Sequence, residues 1–264
     1  MCALIAMACF DTLENGRTQM TEATLKSLVA TVDLGSKKAP YGESRHRLVI
    51  SDNGSCRATQ RLYRVYGQHI FDVIRNGENI GTAKAINKAW QYRAPGEHVV
   101  KMDNDVVIHQ AEWLDWIEDA FQRDPKLGIL GLKRSDLEEN PWRKDLFHSS
   151  IRMLPHERGQ RWIVVEDVAG VMGTCQAYSS LLLDKIGFLS QPGFYGYDDA
   201  LASIRAKKAG FGRAFLCGFE IDHVDPGGSA FGQWKIDQAN KGWGEFQALQ
   251  RKYESGERKV YEKA

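Results

Sequence analysis

Apolar residues along this chain come in short continuous runs that alternate with stretches of helical periodicity. "ALIAMACFD" is almost wholly apolar and precedes "MTEATLKSLVAT", where Leu25, Leu28 and Val29 share a helical face. "RLVISDNGS" repeats the arrangement ahead of a helix over "RATQRLYRVYG", and "FDVIRNGENIG" does so ahead of "TAKAINKAWQYR". "HVVKMDND" is a fourth strand. Strands alternating with helices predict an α/β fold: a mixed, mainly parallel central sheet flanked by helices on both faces. Ligands of such sheets bind outside the carboxyl ends of the strands. The ends here are "CFDT", "SDNGS", "RNGENIG" and "DND", all polar or glycine-rich.

Further along, "HQAEWLDWIEDAFQRDP" reads as a helix and "LGILGL" as a short strand. Residues 133–161 read as an irregular loop with Pro141, Trp142, Phe147, His148, Pro155 and His156, and with seven Lys/Arg against five Asp/Glu. Loops of that length in compact domains are functional or mobile, and an acceptor-side role is expected. "GQRWIVVEDVAGVMGTCQAYS" reads as strand and "SSLLLDKIG" as a short helix. "QPGFYGYDDALASIRAKKAGF" is an aromatic loop entering a helix, and "GRAFLCGFEIDHVDPGG" is a last strand with its exit. Trp243, Phe246, Leu249 and Tyr253 recur at helical spacing in the tail, as a packing face does. No repeat or linker divides the chain, so one domain is expected over residues 1–264.

Composition narrows the class. Of 264 residues, 35 are basic and 34 acidic, so no bulk field favours nucleic acid or membrane. Cys2, Cys9, Cys56, Cys175 and Cys217 show no C-x-x-C spacing. Scattered thiols of this kind fit a reducing, cytoplasmic setting better than a disulfide framework or a zinc site. "MCALIAMACF" lacks a basic leader and is too short to span a bilayer, and no later run approaches that length.

The chemistry centres on "VVKMDNDVVI", where Asp103 and Asp105 stand one residue apart between apolar runs. Paired carboxylates at a strand end repel each other unless something positive lies between them. A polar turn is the plain alternative, because Asp and Asn bond their own backbone in turns. A P-loop is excluded because "NGENIGTAKA" lacks Gly-Lys-Ser/Thr, and an EF-hand because Val107 and Ile108 occupy ligand and glycine positions.

Taken in order, "LVISDNGS", "NGENIGTAKAIN", "VVKMDNDVVI", "GYDDALASIRAKKAG" and "HVD" resemble the family 2 glycosyltransferases of the GT-A fold, from about residue 3 to 225. The resemblance implies a GT-A (Rossmann-like) fold with a nucleotide-sugar-binding half at 1–108, an acceptor and catalytic half at 109–225 and a helical tail at 226–264. It makes Asp105 a ligand of a divalent cation, Mn2+ or Mg2+, on the donor diphosphate, with His223 completing the metal shell. It puts Asp103 on the ribose or sugar, beside Asn104, and Asp52 on the nucleobase edge. Thr12, Glu14 and Lys84 are expected around the nucleotide. Asp198 and Asp199 stand seven and six residues before Arg205, as the family's Glu-Asp pair does before its arginine. By that match Asp199 is the catalytic base, and Asp198 replaces a glutamate that would contact the acceptor. Phe194, Tyr195 and Tyr197 are candidates to stack on sugar faces. "QALQRKY" lacks the tryptophan of the processive synthases' Q-x-x-R-W. The resemblance therefore implies one sugar added by an inverting displacement. The donor so implied is a UDP-sugar, and the acceptor expected is a glycan or other hydroxyl-bearing molecule, a modified DNA base included.

Two other readings compete. The D-x-D-x-Val pattern also resembles haloacid dehalogenases, with Asp103 as a phosphate-accepting nucleophile and Asp105 as acid/base. There, however, the nucleophile ends the first strand, and here three strand–helix units come earlier. A catalytically silent nucleotide-sugar-binding protein is the other, and the retention of both acid pairs argues against it.

Overall fold

The structure, a computed structural model, describes residues 3–35, 46–137, 150–225 and 230–263. Its first half runs β1 (Ala3–Cys9), α1 (Thr18–Thr31), β2 (Leu34–Gly35), β3 (His46–Asp52), α2 (Arg57–Val65), β4 (Asp72–Arg75), α3 (Thr82–Trp90) and β5 (His98–Met102). The second half runs β6 (Val106–Ile108), α4 (Trp113–Arg123), β7 (Leu127–Arg134), β8 (Ser150–Met153), β9 (Val164–Asp167), β10 (Cys175–Tyr178), α5 (Ser180–Ile186), α6 (Asp198–Lys208) and β11 (Gly212–His223). A long helix, α7 (Ala230–Ser255), follows.

All these strands join one sheet, of order β2-β3-β1-β5-β10-β7-β11-β9-β8, with β4 beside β3 and β6 beside β11. Period-two alternation explains why β1 is apolar throughout. Ala3, Ile5, Met7 and Cys9 enter the core under α1, α2 and α4, whereas Leu4 and Ala6 enter the core under α3, α5 and α6. Strands β4, β3, β1 and β5 are mutually parallel, as expected. Beyond β5 the sheet becomes mixed, as a GT-A sheet is expected to be: β10 runs antiparallel between β5 and β7, and β8, β9 and β6 also pair antiparallel. Only β7 and β11 are parallel there.

Two expectations change. The run "GQRWIVVEDVAGVMGTCQAYS" is not one strand. It splits into β9 and β10, which lie apart in the sheet, and the turn between them carries Gly170 and Gly173. Residues 133–161 are not irregular throughout, because β7 reaches Arg134 and β8 pairs with β9. Pro141, Trp142, Phe147 and His148 lie outside the described residues. Cys9, Cys56, Cys175 and Cys217 are free thiols. Among the described residues no helix is long and apolar enough to cross a membrane.

The tail packs as its spacing suggests, with Phe246, Leu249 and Tyr253 closing a small core against Leu201 of α6, while Trp243 remains 47% exposed. Arg205 of α6 lies at the base of this region and is fully buried. Its guanidinium donates to the carbonyls of Val260 and Phe188, both at 2.8 Å, and of Ile186. Arg205 is thus a structural clamp joining α6, α5 and the C-terminal segment. Arg205→Met leaves the Val260 and Phe188 carbonyls without that donor, while the Ile186 carbonyl keeps the Glu262 amide. At about 1.5–3 kcal/mol per hydrogen bond to a charged group, it is expected to cost at least about 3 kcal/mol of stability. A lowered urea midpoint at unchanged slope checks this.

Candidate active site

Asp103, Asn104 and Asp105 follow β5 at the carboxyl edge of the parallel strands, but not at the surface as strand-end residues would be. Asn104 and Asp105 are buried and Asp103 is half-buried. The Asp103 amide donates to the Thr174 carbonyl at 3.0 Å. Asn104 Nδ2 donates to Asp11 Oδ1 and Thr21 Oγ1, both at 2.7 Å, so the middle residue of the motif ties it to the β1 exit and α1.

Immediately afterwards β6 pairs antiparallel with the end of β11, Val106 opposite His223. The Val224 amide donates to the Asp105 carbonyl at 2.9 Å. This short ladder brings "HVD" beside "DND", and His223 Nε2 comes to 3.4 Å from Asp105 Oδ2. Arg17, in the loop between β1 and α1, donates from Nη2 to Asp105 Oδ2 and from Nη1 to Asp225 Oδ2 at 2.6 Å. Lys235 of α7 places Nζ 3.2 Å from Asp225 and 4.0 Å from Asp105. These cations answer the repulsion that two neighbouring carboxylates raise. Burial would lift the Asp105 carboxyl, but His223, Arg17 and Lys235 hold it well below the usual carboxylate range. Asp103 goes the other way, pushed up to about 6 by burial and by the charge on Asp105 against the pull of Lys101 and Lys235. Asp105 Oδ1 is buried and has no hydrogen-bond partner among the described residues.

The second acid pair opens α6. Lys101, on the face of β5 that looks toward α6, is 3% exposed and places Nζ 2.8 Å from Asp198 Oδ2. Asp103 and Asp199 lie near enough to support its charge as well. Asp199 accepts from the amides of Gly173 at 2.9 Å and Ala200 at 2.8 Å. Burial and the charge on Asp198 raise the Asp199 carboxyl, with Lys101 and the two amides opposing. Glycine at position 173 leaves room for both groups, since a Cβ there would meet Lys101 Nζ at 2.5 Å and Asp199 Oδ2 at 3.3 Å. Lys101 therefore lies between the two acid pairs, and each holds part of its charge.

A cleft at this edge is lined by the charged set Arg17, Asp103, Asp105 and Lys235, together with Asn53 and Asn79. Phe194 and Tyr195 line it on one loop and Phe231 and Trp234 on α7, with Phe231 and Trp234 stacked at 5.3 Å. Tyr197 instead stacks on Phe246 at 4.6 Å, within the tail packing.

Several expected residues do not reach the cleft. Asp52 accepts from the Ser55 amide at 2.9 Å and faces Arg75 at 3.8 Å, so its carboxylate builds the turn. Asn53 lines the cleft in its place, and its amide is held by Asn76 at 2.9 Å and Asn79 at 3.2 Å. Thr12 exchanges hydrogen bonds with Asn15 in a tight turn, Glu14 is exposed, and neither lines the cleft. Lys84 points outward from α3 while Ala83, Ile86 and Trp90 face the core. Asp198 is buried against Lys101, not free to meet an acceptor as the glutamate it replaces would.

Sequence reasoning missed Arg17, Lys101, Asn53, Asp225, Phe231, Trp234 and Lys235. Lys101 alone carried a readable signal: a charge inside "HVVKM", a strand covered on both faces, requires a buried partner.

A family model described as "Glycosyl transferase family 2" matches residues 15–187. No curated protein matches the sequence. Among solved structures, the chain is similar to the mannosyltransferase PcManGT from Pyrobaculum calidifontis, in complex with GDP-Man and Mn2+. That match has a TM-score of 0.64 at 17% identity and covers 93% of this chain and 63% of that one. S. aureus TarS 1–349 with UDP-GlcNAc matches with a TM-score of 0.57 at 16% identity, over 83% of this chain and 58% of that one. GalNAc-T7 with UDP, GalNAc and Mn2+ matches with a TM-score of 0.59 at 11% identity, over 93% and 48%. The chain thus spans less than two thirds of each, and at these identities the likeness establishes the fold, GT-A.

Proposed function

The chain belongs to glycosyl transferase family 2, and we propose that it is a metal-dependent, inverting transferase. It moves one sugar from a nucleotide-sugar donor, a UDP-sugar, to a hydroxyl of an acceptor glycan. The observation that carries this reading is the pair of acid sets bridged by Lys101 at one edge of the sheet. Family membership also removes the dehalogenase alternative, in which Asp103 would be a nucleophile.

Asp105 and His223 fit a hard divalent cation, Mn2+ or Mg2+. Asp105 keeps a buried oxygen without a hydrogen-bond partner among the described residues, and an imidazole stands 3.4 Å from its other oxygen. Two protein donors leave coordination positions for diphosphate oxygens and water, the usual arrangement for phosphate-bound cations. When bound, the cation supplies charge neutralisation to the leaving diphosphate. Asp103 and the Asn104 region hold the donor sugar and ribose, and Asn53 and Asn79 stand where the nucleoside lies.

Asp199 takes the proton from the acceptor hydroxyl. The freed oxygen attacks the anomeric carbon from the side opposite the diphosphate. The bond from that carbon to the diphosphate oxygen breaks, the electron pair leaves with the diphosphate, and the anomeric centre inverts. Lys101 positions Asp198 and, with the Gly173 amide, fixes Asp199. Turnover of a panel of nucleotide sugars, with and without manganese, tests the reading; no hydrolysis or transfer from any of them would overturn it. DNA as acceptor would show instead as binding that weakens steeply with salt.

One consequence concerns Gly173. Gly173→Ala forces Lys101 Nζ aside by roughly 1 Å and presses on the Asp199 carboxylate, and misplacement on that scale costs about 10²-fold in rate. A large drop in kcat with nucleotide affinity and circular dichroism unchanged is expected.

A further inference from the structure

The cleft holds two side-chain cations, and they differ in what they have left to offer. Arg17 is 4% exposed and three of its five N–H donors are placed, with Nη2 on Asp105 and Asn104 and Nη1 on Asp225. Its planar fork is further fixed over the Phe231 ring, 5.2 Å from the centroid. Turning it toward a ligand would strip a buried carboxylate, so Arg17 shapes the site without being available to it.

Lys235 is different. Its side chain is one-fifth exposed (20%), its Nζ lines the cleft, and its one hydrogen bond among the described residues goes to Asp225 at 3.2 Å. An ammonium carries three donors on a rotatable stem. It lies 5.1 Å from the Phe231 centroid and 5.9 Å from that of Tyr195, rings that attract its charge and hold it within the cleft. Two donors therefore remain for an anion beside Asp105, the position that the proposed function gives to the diphosphate.

We propose that Lys235 is a diphosphate-binding residue, so that α7, which lies beyond the residues matched by the family model, completes the donor site. The proposal rests on the glycosyltransferase reading. When the anomeric bond breaks, the diphosphate gains negative charge, and a positioned ammonium at that point stabilises the transition state more than the bound donor.

The test is calorimetry of UDP, UMP, GDP and GMP, with manganese present, on the full chain and on Lys235→Ala and Lys235→Arg. The full chain should prefer the diphosphate of whichever nucleoside it binds. In Lys235→Ala the diphosphate affinity should fall on the order of 10- to 100-fold, with little change for the monophosphate. Lys235→Arg should restore most of the preference. A merely structural role for Lys235 would weaken both nucleotides alike. An unchanged diphosphate preference in Lys235→Ala overturns the proposal and leaves the glycosyltransferase reading standing. Failure of the full chain to bind any of the four overturns both.

Discussion

Replacing Asp199 with asparagine is expected to lower kcat by about 10²–10⁴-fold, the range that positioned general-base catalysis contributes. The amide keeps the shape of the carboxylate and still accepts from the Gly173 backbone, so the fold and the α6 entry should survive. Nucleotide affinity should hardly move, because Asp199 does not line the cleft that holds the donor. The pH profile gives a second readout. Burial and Asp198 raise the Asp199 carboxyl, with Lys101 and the Ala200 and Gly173 amides opposing. A base acts only when unprotonated, so kcat should fall as pH drops through this raised value. The fall begins at higher pH than an unperturbed aspartate, near about 3.9, would set. The limb assigned to Asp199 should vanish in the variant. The product's anomeric configuration, read by NMR, should be inverted. Full activity in Asp199→Asn, or retention of configuration, would place the base elsewhere.

Asp105→Asn should abolish the dependence of nucleotide binding on manganese. Losing residues that merely orient a metal's ligands typically costs about 10–100-fold in metal affinity, and loss of a ligand itself should exceed that. Asparagine is the informative substitution, because Arg17 already draws on Asp105 and Asp225 together. Both substitutions remove the Asp105 charge, but asparagine keeps an oxygen that can accept from Arg17, whereas alanine leaves that buried donor without a partner at an added cost of about 1–3 kcal/mol. Titration of UDP into Asp105→Asn with and without manganese should give the same weak affinity. A manganese enhancement equal to that of the unaltered chain would remove Asp105 from the metal site.

Much of the scaffold was legible because the determinants are local. The apolar run of β1, the polar strand ends and the acid pair opening α6 can each be read from a window of about ten residues or fewer, where period and turn chemistry act. Two of the expected residues that do not line the cleft carried local signals. Asp52 continues the Leu48–Ile50 row of β3 into the face covered by α1 and α2, and Lys84 falls off the Ala83–Ile86–Trp90 stripe of α3. Alternation and helical spacing alone place both away from the cleft.

What makes the residues a site was decided by pairing between distant segments. Arg17 and Asp105 are 88 residues apart, and their contact exists because β1 and β5 are neighbours in the sheet. His223 reaches Asp105 only through the β6–β11 register, and Lys101 meets Asp198 only where α6 packs over β5. A one-residue slip of either register would turn these side chains to the opposite face. From the sequence alone, the DND motif, the DD pair and the order of strands and helices were determined. Only the tertiary structure decided which cations neutralise which acids and that the tail helix lines the cleft. The physical reason is that a buried charge takes its meaning from its partner. Partners are chosen by the order and register of strands that may be far apart along the chain.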